Sequence, residues 1–198
     1  DDDRLAYRIT RRLAKNVLGN RLVFEEDNHD LALTFRAEWQ TSARFGFVRS
    51  CAIINRGTTP ATVGILDGLL NLMPGDVSEA LQQQASCLID AFKLNQRVPG
   101  TSLALYTLAA QVIDRAEPME ALHATTVWSH GLPGGEVLLL DEDRRAFDQG
   151  RPLIGADVVR GRRGAYLRAA EIEVGPDAEH AWVMVADVAR TQPDVAAL

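Results

Sequence analysis

The sequence predicts a mainly β protein, an antiparallel β-sandwich with one or two accessory helices. The clearest signal is Leu31–Trp39, where apolar and polar residues alternate as they do in a half-exposed antiparallel strand. Two longer apolar runs, Phe45–Ile54 and Ala61–Met73, flank a connector rich in turn-forming residues. Two further strands, Gly164–Val174 and Ala181–Ala189, flank a Gly-Pro-Asp turn near the end of the chain.

The two long apolar runs are expected to form neighbouring antiparallel strands at the centre of the fold. Ala61–Met73 is apolar on both faces, which is typical of a strand that is covered on both sides. Asp67 and Asn71 interrupt one of these faces. Because buried polar groups need partners, these two residues either brace a loop or line a site, and a structural role is favoured for both.

Two segments show helical signals. Apolar residues at every fourth position predict an N-terminal helix over residues 4–18, with Gly19 at its end. Its other face is basic, and a solvated face is favoured over a docking surface for an acidic partner. The second helix is predicted over Glu79–Phe92, because Asp76 and Glu79 have capping-box spacing and apolar residues follow at helical intervals.

The remaining elements are short. Strands are predicted at Arg21–Glu25, at Ser102–Ile113 (where a helix is the alternative), at Leu122–His130 and at Glu136–Leu140, and a helical segment is predicted from Asp141 through Phe147. The basic stretch from Arg160 to Gly164 is interpreted as a surface turn. No repeat, low-complexity segment or linker appears, so residues 1–198 are predicted to form one domain.

Bulk composition excludes several classes of protein. The content of 46% hydrophobic and 24% charged residues is ordinary for a folded domain. A net charge of -6 disfavours a nucleic-acid partner, and no apolar run approaches the ~20 residues of a membrane span. Cys51 and Cys87 are interpreted as buried free thiols, which with the lack of a signal peptide predicts a cytoplasmic protein. The start at Asp1-Asp2-Asp3 suggests a processed end or an excised piece.

Several phrases of the sequence carry a resemblance to a known family. They are FGFVR, INRG, ILDGLLNLMP, SEALQQQASCLIDAFK, VIDRAEPMEAL and TTVWSHGL, and together they cover about residues 20–190. The chain resembles the amino-terminal β-sandwich region of cellobiose-phosphorylase-like proteins. In that family a supersandwich of the galactose-mutarotase-like class precedes an (α/α)6 catalytic barrel, which holds the catalytic acid.

The resemblance implies a partner, because this chain contains no barrel. The expected partner is a missing catalytic domain of the same polypeptide, and the parent protein is expected to be a glycoside phosphorylase or hydrolase. The chain itself is then a non-catalytic domain that packs on the barrel and shapes its sugar site. A domain separated from such a partner should expose an apolar patch. The stripe containing Leu88 and Phe92 is the expected location, through which the fragment would self-associate.

The residues themselves indicate no catalytic or metal site. His123 and His130 are seven positions apart on a predicted strand and face opposite ways, and His29 and His180 fall in turns. No nucleophile elbow, phosphate-binding loop or dinucleotide fingerprint occurs, so no cofactor is expected.

Four residues remain as candidate ligand-binding positions, namely Trp39, Asp67, Asn71 and Trp128. A tryptophan face suits a pyranose ring, although a core position is the more usual one for a residue such as Trp39. Two other functions stay open. One is a free-standing mutarotase or epimerase, which would need a histidine acid and a carboxylate base together in a cleft. The other is an independent carbohydrate-binding module.

Overall fold

The protein is mainly β, as the sequence predicts. The structure is a computed structural model that describes residues 7–112, 116, 117, 119–135 and 137–198. Strands account for 48% of the described residues and helices for 13%, and the strands form two antiparallel sheets. This confirms the predicted class of antiparallel β-sandwich. In the described part of the chain, no helix is long and apolar enough to cross a membrane.

Twelve strands and four short helices occur among the described residues. The strands are β1 (Ile9–Lys15), β2 (Arg21–Asn28), β3 (Leu33–Thr41), β4 (Phe47–Asn55), β5 (Ala61–Leu72), β6 (Lys93–Arg97), β7 (Ala104–Leu108), β8 (Ala124–His130), β9 (Val137–Leu138), β10 (Val158–Arg160), β11 (Gly164–Val174) and β12 (Glu179–Arg190). The helices are α1 (Glu79–Gln84), α2 (Ser86–Phe92), α3 (Glu142–Asp148) and α4 (Gln192–Ala196).

The chain divides into two compact units. The first comprises Asp1–Ile65, His130–Pro133 and Ala170–Val185, and the second comprises Leu66–Ser129, Gly134–Ala169 and Ala186–Leu198. Strands β5, β8, β11 and β12 each contribute residues to both units.

The first unit is a two-layered β structure. One layer has the strand order β1-β2-β3-β4-β12, and segments of β5 and β11 lie side by side in the other. The core between them contains Ala37, Cys51, Ile53, Ile65, Leu132, Ile172, Val174 and Trp182. Leu33 and Phe35 pack against this core from the same strand as Ala37, which confirms the alternation predicted for β3.

The predicted N-terminal helix is wrong. Residues Ile9–Lys15 form β1, which pairs with β2 along its whole length, while residues 4–6 lie outside the described part of the chain. A spacing of four keeps residues on one face of a strand as well as of a helix, so Ile9 and Leu13 do not discriminate between the two. Opposite charges favour the strand, because Arg11 pairs with Glu26 at 2.7 Å across the ladder.

The two long apolar runs form strands as predicted, but the prediction that they are neighbours is wrong. Strand β4 lies between β3 and β12 in one sheet, and β5 is an edge strand beside β11 in the other. The buried Asn55 holds the connector between the layers, since its amide nitrogen donates to the carbonyl oxygens of Thr59 (2.8 Å) and Val174 (2.9 Å). These hydrogen bonds of Asn55 therefore fix the chain where it passes from β4 to the other sheet, at the place where a hairpin between β4 and β5 was predicted.

The second unit also has two layers, with the order β8-β7-β6-β10 in one and parts of β5, β11 and β9 in the other. Two buried tyrosines anchor it. The Tyr106 hydroxyl donates to the carbonyl oxygen of Ala165 at 2.7 Å, and the Tyr166 hydroxyl donates to that of Ser102 at 2.7 Å. Burial raises the pKa of both hydroxyls, so both remain protonated donors at neutral pH.

The elements of the second unit follow most of the predictions, with shorter bounds. Strand β7 occupies only part of the predicted Ser102–Ile113, whose last residue lies outside the described part of the chain. The predicted Glu79–Phe92 helix is divided at Ala85 into α1 and α2. Ser78 caps α1 instead of Asp76, and its hydroxyl oxygen accepts from the Leu81 N–H at 3.2 Å.

One prediction about burial, that of Cys87, is wrong. Cys51 is buried as expected, but Cys87, on α2, is exposed. Of the predicted apolar stripe on this helix, Leu88 is 50% exposed, Phe92 is half-buried, and the neighbouring Ile89 is fully buried. Self-association through this stripe stays a prediction.

The edge position of β5 predicts unequal costs for two adjacent truncations. Ile65 is buried in the core of the first unit, whereas Leu66 is half-exposed. We therefore expect Ile65→Ala to lower the free energy of unfolding by about 2–5 kcal/mol, and Leu66→Ala to have a smaller effect. Urea unfolding of both variants measures the difference. A cost for Leu66→Ala equal to that for Ile65→Ala would contradict this assignment of the two faces.

Gly68 is predicted to be indispensable for the close approach of β5 and β11. A Cβ atom at this position would lie 2.0 Å from the backbone oxygen of Tyr166, and backbone cannot move aside as a flexible side chain does. Gly68→Ala should destabilise the protein by about 1–3 kcal/mol or more. Gly175→Ala is the control, because its Cβ would have only an ordinary contact at 3.9 Å. Equal melting temperatures for the two variants would refute the close approach.

Candidate functional site

A cavity of about 420 Å³ lies on the sheet of the first unit, near the turn between β1 and β2. Its apolar lining consists of Leu22, Phe24, Trp39 and Phe47. Its polar lining is provided by Asn20, Arg21, Gln40 and Thr41. We call it the aromatic cavity.

The strand register explains why these aromatic residues meet. Leu22 of β2 is opposite Trp39 of β3, and Trp39 is opposite Arg49 of β4. Directly opposed residues lie on the same face of a sheet. Ala37 is two residues before Trp39 on β3, so it lies on the same face of the sheet, and it belongs to the core. The aromatic cavity is therefore a continuation of the core-facing side of the sheet, at a place where the second layer does not cover it.

The aromatic residues of the cavity are unusually exposed. Phe24 is 42% exposed and Phe47 is 56% exposed, and Leu13, directly opposite Phe24 on β1, is also exposed. Single exposed apolar residues are common, but a group of them around a concavity marks a surface that binds a ligand or a partner.

Trp39 is half-buried and lies outside the core cluster of the first unit. The guanidinium carbon of Arg49 lies 5.5 Å from the centre of its ring, within the range of a cation–π interaction. This contact holds the tryptophan ring in place against the sheet. The more exposed rings of Phe24 and Phe47 are then the accessible apolar surfaces beside it.

The turn between β1 and β2 holds one polar wall of the cavity. The Asn16 side chain donates to Asn20 Oδ1 at 2.6 Å and accepts from the Arg21 N–H at 3.1 Å. Gly19 has a φ of 72°, a left-handed conformation that glycine adopts without strain. Asn20 presents an amide group at the edge of the apolar surface, and Thr41, which shares the face of Trp39 on β3, presents a hydroxyl group.

Arg21 is already paired with a carboxylate. Its Nε lies 2.5 Å from Oε1 of Glu38. The hydrogen bond from Arg21 lowers the pKa of Glu38, and the same bond raises the pKa of Arg21. The charge of this arginine is therefore largely compensated within the protein.

A second cavity, of about 450 Å³, contains the carboxylates of a catalytic cleft, but these carboxylates do not have the protonation state that catalysis requires. Its carboxylates Glu25 and Asp27 both pair with the guanidinium of Arg12, at 2.5 and 2.8 Å. The hydroxyl of Thr34 donates to Asp27 and, together with Arg12, lowers the pKa of that carboxyl. A glycosidase acid needs a raised pKa so that it is protonated when substrate binds. Asp27 is held in the opposite state.

The four predicted ligand-binding residues have different surroundings. Trp39 lines the aromatic cavity, whereas Asp67, Asn71 and Trp128 line neither cavity described above. Asp67 is 9% exposed, while Asn71 is exposed and has a φ of 57°, which asparagine tolerates. The two do not form a common polar patch on β5. Trp128 is half-buried on β8, and a ligand-binding role for these three residues stays a prediction.

A histidine–carboxylate pair occurs in the second unit. His123 Nδ1 lies 2.7 Å from Asp76 Oδ1, and the His123 backbone N–H donates to the other carboxylate oxygen at 3.3 Å. Asp76 therefore braces the approach to β8, whereas its predicted role was to cap a helix. The two residues are 47 positions apart, and no local pattern in the sequence indicates that they meet.

Phe24, Phe47 and Leu22 are the site residues that the sequence analysis missed. The alternation of Leu22 and Phe24 was a usable signal for the inner face of a strand. What it did not reveal is that this part of the face is left uncovered, because that depends on the length of the opposite layer.

The fold and the site together define an antiparallel β-sandwich protein with an open aromatic cavity on one sheet. No family model matches the chain, and no curated protein matches it. Two solved structures, both of the "Heparinase III-BT4657 gene product" and one of them with methylated lysines, are similar to it.

The first has a TM-score of 0.41 and 9% sequence identity, and the similarity covers 94% of this chain and 22% of that chain. The second has a TM-score of 0.40 and 10% identity, and covers 93% and 22%. The chain thus spans less than a quarter of the length of these proteins. A similarity at this level does not identify a function.

Proposed function

We propose that this chain is a non-catalytic β-sandwich domain of a carbohydrate-active enzyme and that its aromatic cavity contacts the saccharide. In the whole protein, the domain would pack on an (α/α)6 catalytic domain and shape one side of the sugar site. The parent enzyme would be a glycoside phosphorylase or hydrolase of the cellobiose-phosphorylase-like kind that the sequence resembles.

The observation that carries the proposal is the combination of exposed rings and polar groups around one concavity. Pyranose rings have apolar C–H faces that pack on aromatic rings, and hydroxyl groups at their edges that need donors and acceptors. Phe24 and Phe47 offer the first kind of contact, and Asn20 and Thr41 offer the second. The volume of about 420 Å³ falls in the range of small-ligand sites, which supports a short saccharide as the occupant.

The carboxylates near this cavity support a non-catalytic role. Glu38 is paired with Arg21, and its pKa is lowered, so it is a poor proton donor at neutral pH. The Glu25 and Asp27 pair is likewise held by Arg12. The proposed contribution of the domain is binding and positioning of saccharide.

The proposal predicts that saccharide binding depends on the rings of the cavity. Phe47→Ala should weaken the binding of a short oligosaccharide by about fivefold to twentyfold, because an exposed aromatic contact contributes on the order of 1–2 kcal/mol. Trp39→Ala should weaken it at least as much. The measurement is isothermal titration calorimetry with cello-, galacto- and galacturono-oligosaccharides of equal length.

Trp128→Ala is the matched control, since it removes the same side chain from a half-buried position outside the cavity. Because Trp39→Ala also removes the contact with Arg49, its melting temperature is measured first, and Phe47→Ala provides the test if the tryptophan variant is unfolded. If the folded wild-type chain binds none of these oligosaccharides, or if Phe47→Ala binds as well as the wild type, the proposed function is wrong.

A mutarotase is the second candidate function, because His123 and Asp76 form the histidine–carboxylate pair that such an enzyme requires. Neither residue lines the two cavities described above, which favours a structural role for the pair. We therefore predict that the chain does not accelerate mutarotation of fresh α-glucose or α-galactose above the buffer rate, as measured by polarimetry. An acceleration that disappears in His123→Asn would establish the enzyme instead.

A further inference from the structure

The segments that form the aromatic cavity have an unusual charge. The whole chain has 27 acidic and 21 basic residues, so its net charge is negative. Residues 13–24 and 39–54, which contribute the whole lining, contain no aspartate or glutamate. They do contain four cations, namely Lys15, Arg21, Arg44 and Arg49. The segments that line the cavity are therefore basic in an acidic protein, although one of the four cations, Arg21, is compensated by the neighbouring Glu38.

The strand register places two of these cations on either side of the aromatic cavity. Lys15 is opposite Leu22, Leu22 is opposite Trp39, and Trp39 is opposite Arg49. These four residues form one row across β1, β2, β3 and β4, on the same face of the sheet. With strands about 4.8 Å apart, Lys15 and Arg49 are separated by about 14 Å at the backbone. That distance spans a short saccharide.

The charge of Lys15 is not compensated as that of Arg21 is. Among the described residues, Lys15 forms no ion pair, and its side chain is exposed. A neutral saccharide would gain nothing from an ammonium group at this place beyond a hydrogen bond. An acidic saccharide would gain a charge-assisted contact, which is roughly twice as strong as a neutral one.

We infer that the aromatic cavity selects anionic saccharides, in which carboxylate or sulfate groups are attached to the pyranose rings. Phe24 and Phe47 contact the apolar faces of the rings, while Lys15 and Arg49 attract the acidic groups at the two sides. This inference rests on the proposed function, because it names the class of saccharide that binds at the same site.

The test compares three ligands with the same backbone and length. They are an oligogalacturonide, its carboxyl-reduced and therefore neutral counterpart, and a sulfated form of that neutral counterpart. We expect the oligogalacturonide to bind at least about fivefold more tightly than the neutral form. The preference should shrink as sodium chloride is raised, because screening weakens exposed charge contacts. Tighter binding of only the sulfated form would identify sulfate as the acidic group.

Reversing the charge of Lys15 tests whether the acidic ligand is attracted by this residue or only by the net charge of the protein. Lys15→Glu should remove most of the preference for the acidic ligand and leave binding of the neutral ligand within about twofold. Arg151→Glu, at an exposed arginine outside the cavity, changes the net charge by the same amount and should change neither. If melting shows that Lys15→Glu is unfolded, then Lys15→Ala and the salt dependence of the wild type replace it.

The outcomes distinguish the inference from the proposed function. Equal binding of the neutral and acidic ligands by the folded wild type overturns the inference and leaves the proposed function in place. An acidic preference that survives Lys15→Glu overturns the assignment to this cavity, and so does one that is lost equally in Lys15→Glu and Arg151→Glu. If none of the three ligands binds, the proposed function fails together with the inference.

Discussion

The hydrogen-bonded register of β2, β3 and β4 is the constraint on which the candidate site depends. It aligns Phe24 with Ala37 and Ala37 with Cys51, and it aligns Leu22 with Trp39 and Trp39 with Arg49. The first row runs from Phe24, which lines the cavity, to Ala37 and Cys51 in the core, and the second row lies outside the core cluster. A slip of one residue in any of these strands would turn the rings to the opposite face of the sheet. The core and the cavity are therefore specified by the same pairing.

Charge on the outer face of this sheet supports that register. Arg12 contacts Glu25 and Asp27 across β1 and β2, and Arg21 contacts Glu38 across β2 and β3. Exposed pairs of this kind add little stability individually. They do penalise alternative pairings, because a shifted strand would bring like charges together. The edge strand β1, which is basic and only seven residues long, is also a poor template for pairing with another chain.

The sequence predicted the class of fold well, because alternation in β3 and the turn residues around β11 and β12 are local signals. The prediction was wrong where one pattern is compatible with two structures, because apolar residues at every fourth position lie on one face of a strand such as β1 as well as on one face of a helix. It also failed where the outcome depends on distant contacts. The amide of Asn55 reaches Val174, 119 positions away, and this bond accompanies the passage of the chain from β4 to the other sheet. Of the site, Trp39 was predicted from its chemistry, whereas the exposure of Phe24 and Phe47 depends on where the opposite layer ends.

The aromatic cavity exposes apolar area that continues the core-facing side of the sheet, and exposing apolar area to water is unfavourable. The composition of the surface around it differs from that of the covered part. Ala37 and Cys51 occupy the covered part, while the uncovered part alternates apolar groups with Lys15, Arg49 and amide side chains. Arg49 covers part of the Trp39 ring, and the positive charges of this row would repel a second copy of the same row. Complete burial of this surface against another domain would be unfavourable, because Lys15, which forms no ion pair with the described residues, would lose its hydration without gaining a carboxylate. Rings interspersed with cations and amides are better suited to a hydrated, acidic and amphipathic ligand, and this difference in composition favours saccharide recognition at the cavity over its complete burial in a domain interface.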